Sequence, residues 1–95
     1  MILVIATVRV HADKVGAYES AVAALMPKVR AANPGILFYH AGKARDEAHT
    51  FRVVEAYADQ AAMDRHIGSA LVRESLAGLQ DCIAEIDIKL HDTVA

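Results

Sequence analysis

Ninety-five residues make one domain, and a chain so short buries only about 60–65% of its extended surface, which leaves its stability marginal. With 55% hydrophobic residues against 23% charged, and a net charge of −2 from interleaved acids and bases, it lacks the basic stripe of a nucleic-acid binder. Its one cysteine, Cys82, excludes an internal disulfide, and five scattered histidines (His11, His40, His49, His66, His91) give no clustered metal ligands, so a second copy of the chain is the expected supplement to stability.

The opening "MILVIATVRV" is apolar and β-branched, with alternation emerging at Thr7 and Arg9, and reads as a strand. It is too short to span a membrane and lacks the basic start of a signal peptide, so a cytoplasmic protein is expected. From Ala12 to Asn33, Val15, Tyr18, Val22, Leu25, Met26 and Val29 recur at three and four, the stripe of an amphipathic helix. Pro27 lies inside it and cannot donate to the Ala23 carbonyl, which predicts a kink or break near 23–27. "NPG" at 33–35 then stops the helix.

"ILFYHAGK" (36–43) and "TFRVVEAY" (50–57) read as two strands joined by the polar tip "ARDEAH", expected to be solvated, and a short polar connection makes them antiparallel. Asp59 is placed to cap a short helix through Ile67, and Ser69 a further one through Asp81 with Val72, Leu76, Leu79 and Ile83 on its apolar face. "AEIDIKLH" (84–91) alternates Ile86, Ile88 and Leu90 with Asp87, Lys89 and His91, a last strand with one wet face. The order is β-α-β-β-α-β, the ferredoxin-like α+β pattern of an antiparallel sheet with helices on one face. Such a sheet leaves its other face bare, and a second copy is the economical cover.

Two polar residues sit where packing alone would prefer apolar ones. On the third strand Phe51, Val53, Glu55 and Tyr57 share a face, which sets a carboxylate between Val53 and an aromatic ring. His66 follows Met63 and Ala62 by three and four residues, on the inward side of its helix. A helix that follows a strand directly folds back over the sheet, so Glu55 and His66 can meet. That contact would be either a structural tie between helix and strand or a pocket in which Glu55 orients His66 as a base. Tyr39, Tyr57, Thr7 and His40 are further candidates to line it.

"NPGILFY", "FRVVEAY" and the run from Asp59 through Ala62 and His66 to Ser69 resemble the antibiotic biosynthesis monooxygenase family. Gly35, Tyr39, Glu55, Tyr57, Asp59, Ala62, His66 and Ser69 fill the family's pattern over nearly the whole chain, with Tyr57 where Trp is commoner. The resemblance implies a dimeric α/β barrel acting on a small-molecule substrate. In one branch, molecular oxygen is the co-substrate, no cofactor is bound, and a deprotonated phenol or dihydroquinone supplies the electrons. His66 and Glu55 are the catalytic residues this implies. A haem-degrading branch is not implied, because Thr7, His66 and Leu76 stand where that branch has Asn, Trp and His. "VHADKV" and "EAYADQAAMDRH" are also similar to an isomerase of a phosphorylated autoinducer sugar, which would want cations such as Arg9, Lys43, Arg45 or Arg52. A dimeric ligand-binding module without catalysis is the third possibility.

Overall fold

The computed structural model describes all 95 residues. Its elements run β1 (Ile2–Val10), α1 (Val15–Ala32), β2 (Ile36–Lys43), β3 (Thr50–Tyr57), α2 (Gln60–Ile67), α3 (Ala70–Leu79) and β4 (Ile83–Asp92). Short 3₁₀ turns precede α1 and follow α3. The strands form one antiparallel sheet in the order β2-β3-β1-β4, the ferredoxin-like α+β arrangement.

Strand parity decides what lies where. Val4, Ala6, Val8 and Val10 of β1 are buried under the helices, and Phe51, Val53, Glu55 and Tyr57 of β3 join them on that face. Tyr18, Val22, Met26 and Val29 of α1 pack onto this face, with the Tyr18 ring 4.8 Å from that of Phe51. Each such side chain contributes about 1.5–3 kcal/mol by leaving water. On the opposite face Arg9 and Arg52 converge on Glu47 of the hairpin tip, Arg52 at 2.9 Å and Arg9 at 3.5 Å. Glu47 is thus tied to the sheet within a tip that is largely exposed, as expected, and its two guanidinium partners hold its carboxyl below the usual range.

Two helix expectations are corrected. Pro27 neither breaks nor ends α1, because Pro27 and Ala23 share the helix's solvent side, where water serves the carbonyl left without a donor. The final helix stops at Leu79, and the 3₁₀ turn Gln80–Cys82 delivers Ile83 to β4, which it opens. The alternation of β4 does orient Ile86, Ile88 and Leu90 with the buried residues of β1, opposite Val8, Ala6 and Val4. They stay about half exposed, because β4 is an edge strand that the helices do not roof.

The 33–35 turn fixes α2 against the sheet. Asn33 is buried; its Nδ2 donates to the Ala62 carbonyl at 2.9 Å and its Oδ1 accepts from the Gly35 amide at 3.0 Å. The Ala58 amide donates to the Gly35 carbonyl at 2.9 Å, which closes the turn onto the end of β3. A Cβ on Gly35 would penetrate the Ala62 methyl, so glycine is required here by close approach, its φ being on the ordinary negative side. Gly35→Ala is therefore expected to lower stability by about 1–3 kcal/mol in urea unfolding. Adding Ala62→Gly should recover part of that loss; a Gly35→Ala protein as stable as the parent would contradict the packing.

Candidate active site

Glu55 enters the core because β3 parity aims it at the helices. Its cross-strand neighbours are Val4 and Tyr39, and along its own strand it lies between Val53 and Tyr57. Only 9% of it is exposed. A carboxylate there without a partner would cost several kcal/mol. Tyr57, which is wholly buried, donates its hydroxyl to Glu55 Oε1 in a short hydrogen bond.

α2 supplies the other partner. Its first turn is capped by Asp59, whose Oδ1 accepts from the Ala62 amide at 2.8 Å. Its last turn is fixed by Ser69, which donates both its amide and its hydroxyl to the His66 carbonyl while capping α3. Between those clamps His66 turns inward, 7% exposed, with Nε2 3.5 Å from Glu55 Oε1. The imidazole is bracketed by two phenols: the Tyr39 ring lies edge-on at 5.1 Å and the Tyr57 ring tilted at 5.6 Å.

Burial drives the two ionisable groups toward each other. It raises the Glu55 carboxyl above its ordinary value, outweighing the opposing hydrogen bond from Tyr57. It lowers the His66 imidazole below its ordinary value. Both phenols are pushed up, Tyr39 and Tyr57 alike, chiefly by burial and then by the neighbouring carboxyl, so they stay protonated as donors. The uncharged states of acid and base are thus favoured together. At 3.5 Å the pair is longer than a good N–H···O bond of about 2.7–3.2 Å, so the imidazole nitrogen is not locked onto the carboxyl.

These groups lie in a cavity of about 310 Å³ between sheet and helices. Twenty of its twenty-four lining residues are hydrophobic, and the others are Glu55, His66, Arg73 and Ser75. The polar chemistry is therefore confined to a small part of an apolar chamber. The chamber opens where Ile86, Ile88 and Leu90 of β4 line it without cover.

Of the residues singled out in the sequence, Glu55, His66, Tyr57 and Tyr39 line this cavity together. Thr7 and His40 do not. Thr7 shares Arg9's parity and pairs with Arg52 and Asp87 on the opposite sheet face, while His40 follows inward-facing Tyr39 and stacks on Phe38 at 4.7 Å. Period-two alternation forbids adjacent Tyr39 and His40 from sharing a face, and that rule was sufficient to separate them. Arg9, Lys43 and Arg52 are held in surface ion pairs, Lys43 with Glu19 at 2.8 Å, and none of them reaches the cavity, nor does exposed Arg45. Sequence reasoning missed Arg73, the one basic side chain of the lining other than His66, and Asn33, whose signal was its place before Pro-Gly at a helix end. No group of three or more His, Cys, Asp or Glu side chains is arranged to hold a metal ion.

Residues 1–77 match the model of the antibiotic biosynthesis monooxygenase family. No curated protein matches the chain. Among solved structures, a Caulobacter crescentus protein carrying that family's name is similar at 29% identity and a TM-score of 0.94, over 99% of this chain and 90% of that one. A Pseudomonas aeruginosa protein is similar at 26% identity and 0.87, over 99% and 94%. A Nitrosomonas europaea protein of the same family name shares the fold at 20% identity and 0.91, over the full length of both.

The opposed shifts predict opposed pH dependences of stability. His66 is lowered from 6.5, so the unfolded chain holds a proton that the folded one refuses, and stability from this group rises with pH up to about 6.5. Glu55 is raised from 4.5, so the folded chain holds a proton that the unfolded one releases, and stability from this group falls as pH climbs above about 4.5. Relative to the parent, the melting temperature of Glu55→Gln should therefore climb more steeply from pH 4.5 to 6.5, and that of His66→Gln less steeply. Parallel curves for all three proteins would mean that neither group is perturbed by folding.

Proposed function

Because the chain belongs to the antibiotic biosynthesis monooxygenase family, we propose that it oxidises a small phenolic or quinol substrate with molecular oxygen, without a bound cofactor, in the cavity around His66. The observation that carries this reading is an apolar chamber with one acid–base cluster. The aromatic body of the substrate lies against the aliphatic walls, and its hydroxyl reaches the cluster. Neutral His66 accepts the phenolic proton, and Glu55 orients the imidazole and stabilises it once charged. The Tyr39 hydroxyl donates toward the developing oxyanion, and the Tyr57 hydroxyl holds Glu55 in place.

Deprotonation makes the ring electron-rich enough to reduce oxygen, and the apolar walls around it limit reprotonation of the phenolate by water. For a substrate with a methylene beside the ring the balance is closed. The CH₂ becomes a carbonyl, one oxygen atom enters the product, and the other leaves with the two hydrogens as water. Four electrons pass from substrate to oxygen, and no further reductant is required.

Isomerisation of a phosphorylated sugar finds less support. A phosphate needs convergent cations, and apart from His66 the cavity offers Arg73 alone. The sheet face turned away from the helices exposes Phe38, Val54 and Ile5 amid charged neighbours, and we read it as the surface on which a second copy packs to give a homodimer.

Oxygen consumption over a panel of dihydroquinones and phenols tests the reaction. The parent should exceed the uncatalysed autoxidation rate, and His66→Ala should lose about 10²–10⁴-fold of the excess. Oxygen uptake indistinguishable from autoxidation, or undiminished by His66→Ala, would contradict it. The same samples in the ultracentrifuge should sediment as dimers; a monomer at every concentration would remove the assembly.

A further inference from the structure

A second cavity, of about 220 Å³, adjoins the first at the junction of α1, α2 and α3. The two share three wall residues, Val29, His66 and Val72. Their characters differ. Glu55 lines only the first chamber, whereas the second brings Asn33, Arg65 and Ser69 to the other residues around His66 and is hydrophobic at only four of its nine. It is large enough and polar enough to hold several waters, each of which needs two to four polar partners. None of the side-chain hydrogen bonds formed in the chain uses the second imidazole nitrogen, Nδ1, and no buried side-chain nitrogen or oxygen is left without a partner. A ring that makes no such bond and is not sealed off must have its free nitrogen accessible to water.

We infer that the second cavity is a water-filled proton exit for His66, separate from the apolar chamber in which substrate is bound. This rests on the reading of His66 as the base. The imidazolium formed by the substrate proton can discharge to solvent while oxygen is reduced, and the protons that complete the water and restore the product phenol come back by the same path, without bulk water entering on the substrate side. Nε2, on the Glu55 side, accepts the substrate proton; the imidazolium then releases a proton from Nδ1 to water in the second cavity. One proton enters the ring, one leaves, and the imidazole returns to its neutral state. Of the three residues common to both cavities, Val29, His66 and Val72, only His66 carries a polar side chain, so the imidazole is the polar group the two cavities share. Arg65 and Ser69 face the water, and Asn33, with both ends of its amide already bonded within the fold, holds the floor.

Deuterium exchange at the imidazole C2–H, read by mass spectrometry on the full-length protein, tests this without any substrate. Ala32→Trp places an indole over the second cavity from an exposed position at the end of α1, so the fold should tolerate it. Leu71→Trp blocks the same cavity from α3, and Leu76→Trp obstructs the first chamber. His11 and His91, both exposed, serve as internal references. The two variants of the second cavity should slow exchange at His66 by roughly tenfold against those references, with Leu76→Trp unchanged. Any other pattern, including slowing by Leu76→Trp or by none of the three, overturns the inference. Because the readout needs no turnover, a failure of the oxygenase reading and a failure of the exit path are distinguished. Where turnover is observed, Ala32→Trp should lower kcat with little change in KM, since substrate occupies the other chamber.

Discussion

A carboxyl group on the buried face of a strand must find partners, and the partners of Glu55 organise the rest of this molecule. Tyr57, two residues along β3, gives it a hydroxyl, and His66 is brought to 3.5 Å by α2. The helix is held for that purpose at three points: the Asp59 cap, the Ser69 clamp on the His66 carbonyl, and the amide of Asn33 at Ala62. Gly35 lets the turn and the helix approach closely enough for those bonds to close. The short contacts at the edge of the site thus have a chemical reason at its centre.

The two sheet faces differ in character. Under the helices, valines and aromatic rings make an apolar room in which the acid and the base are both driven toward neutrality. On the other face, arginines, acids and a few exposed apolar side chains are arranged around Glu47. Family membership accounts for the shared fold, yet related proteins on one fold differ in chemistry, so the reaction has to be argued from the room itself. What distinguishes this room is an imidazole bracketed by two protonated phenols, with a second, more polar cavity behind it.

Much of this was legible in the sequence because it is local. The apolar runs 36–43 and 50–57 coincide with β2 and β3, the α1 stripe from Tyr18 to Val29 is the buried one, and Asp59 and Ser69 cap the helices they precede. The meeting of Glu55 with His66 was readable as a strand folding straight back under its following helix. Thr7 and His40 were misplaced although the signal existed: Arg9 marks the wet parity of β1, and Tyr39 marks the dry parity of β2. Other features were illegible because they depend on distant parts of the chain. Glu47 meets Arg9 across thirty-eight residues, and Asn33 reaches Ala62 across twenty-nine. The second cavity exists only once three helices are packed, and no spacing of residues announces it.

Burial disfavours the charged form of the His66 imidazole, beside a carboxyl whose charged form it also disfavours. Nitrogen-15 NMR of histidine-labelled protein reads this directly through the ring nitrogen shifts of each histidine as pH is changed. His66 should show a neutral imidazole at pH 7 and titrate below the ordinary imidazole value of 6.5. A His66 ring that remains an imidazolium above pH 7 would instead describe a permanent ion pair with Glu55, a structural tie with no base to offer.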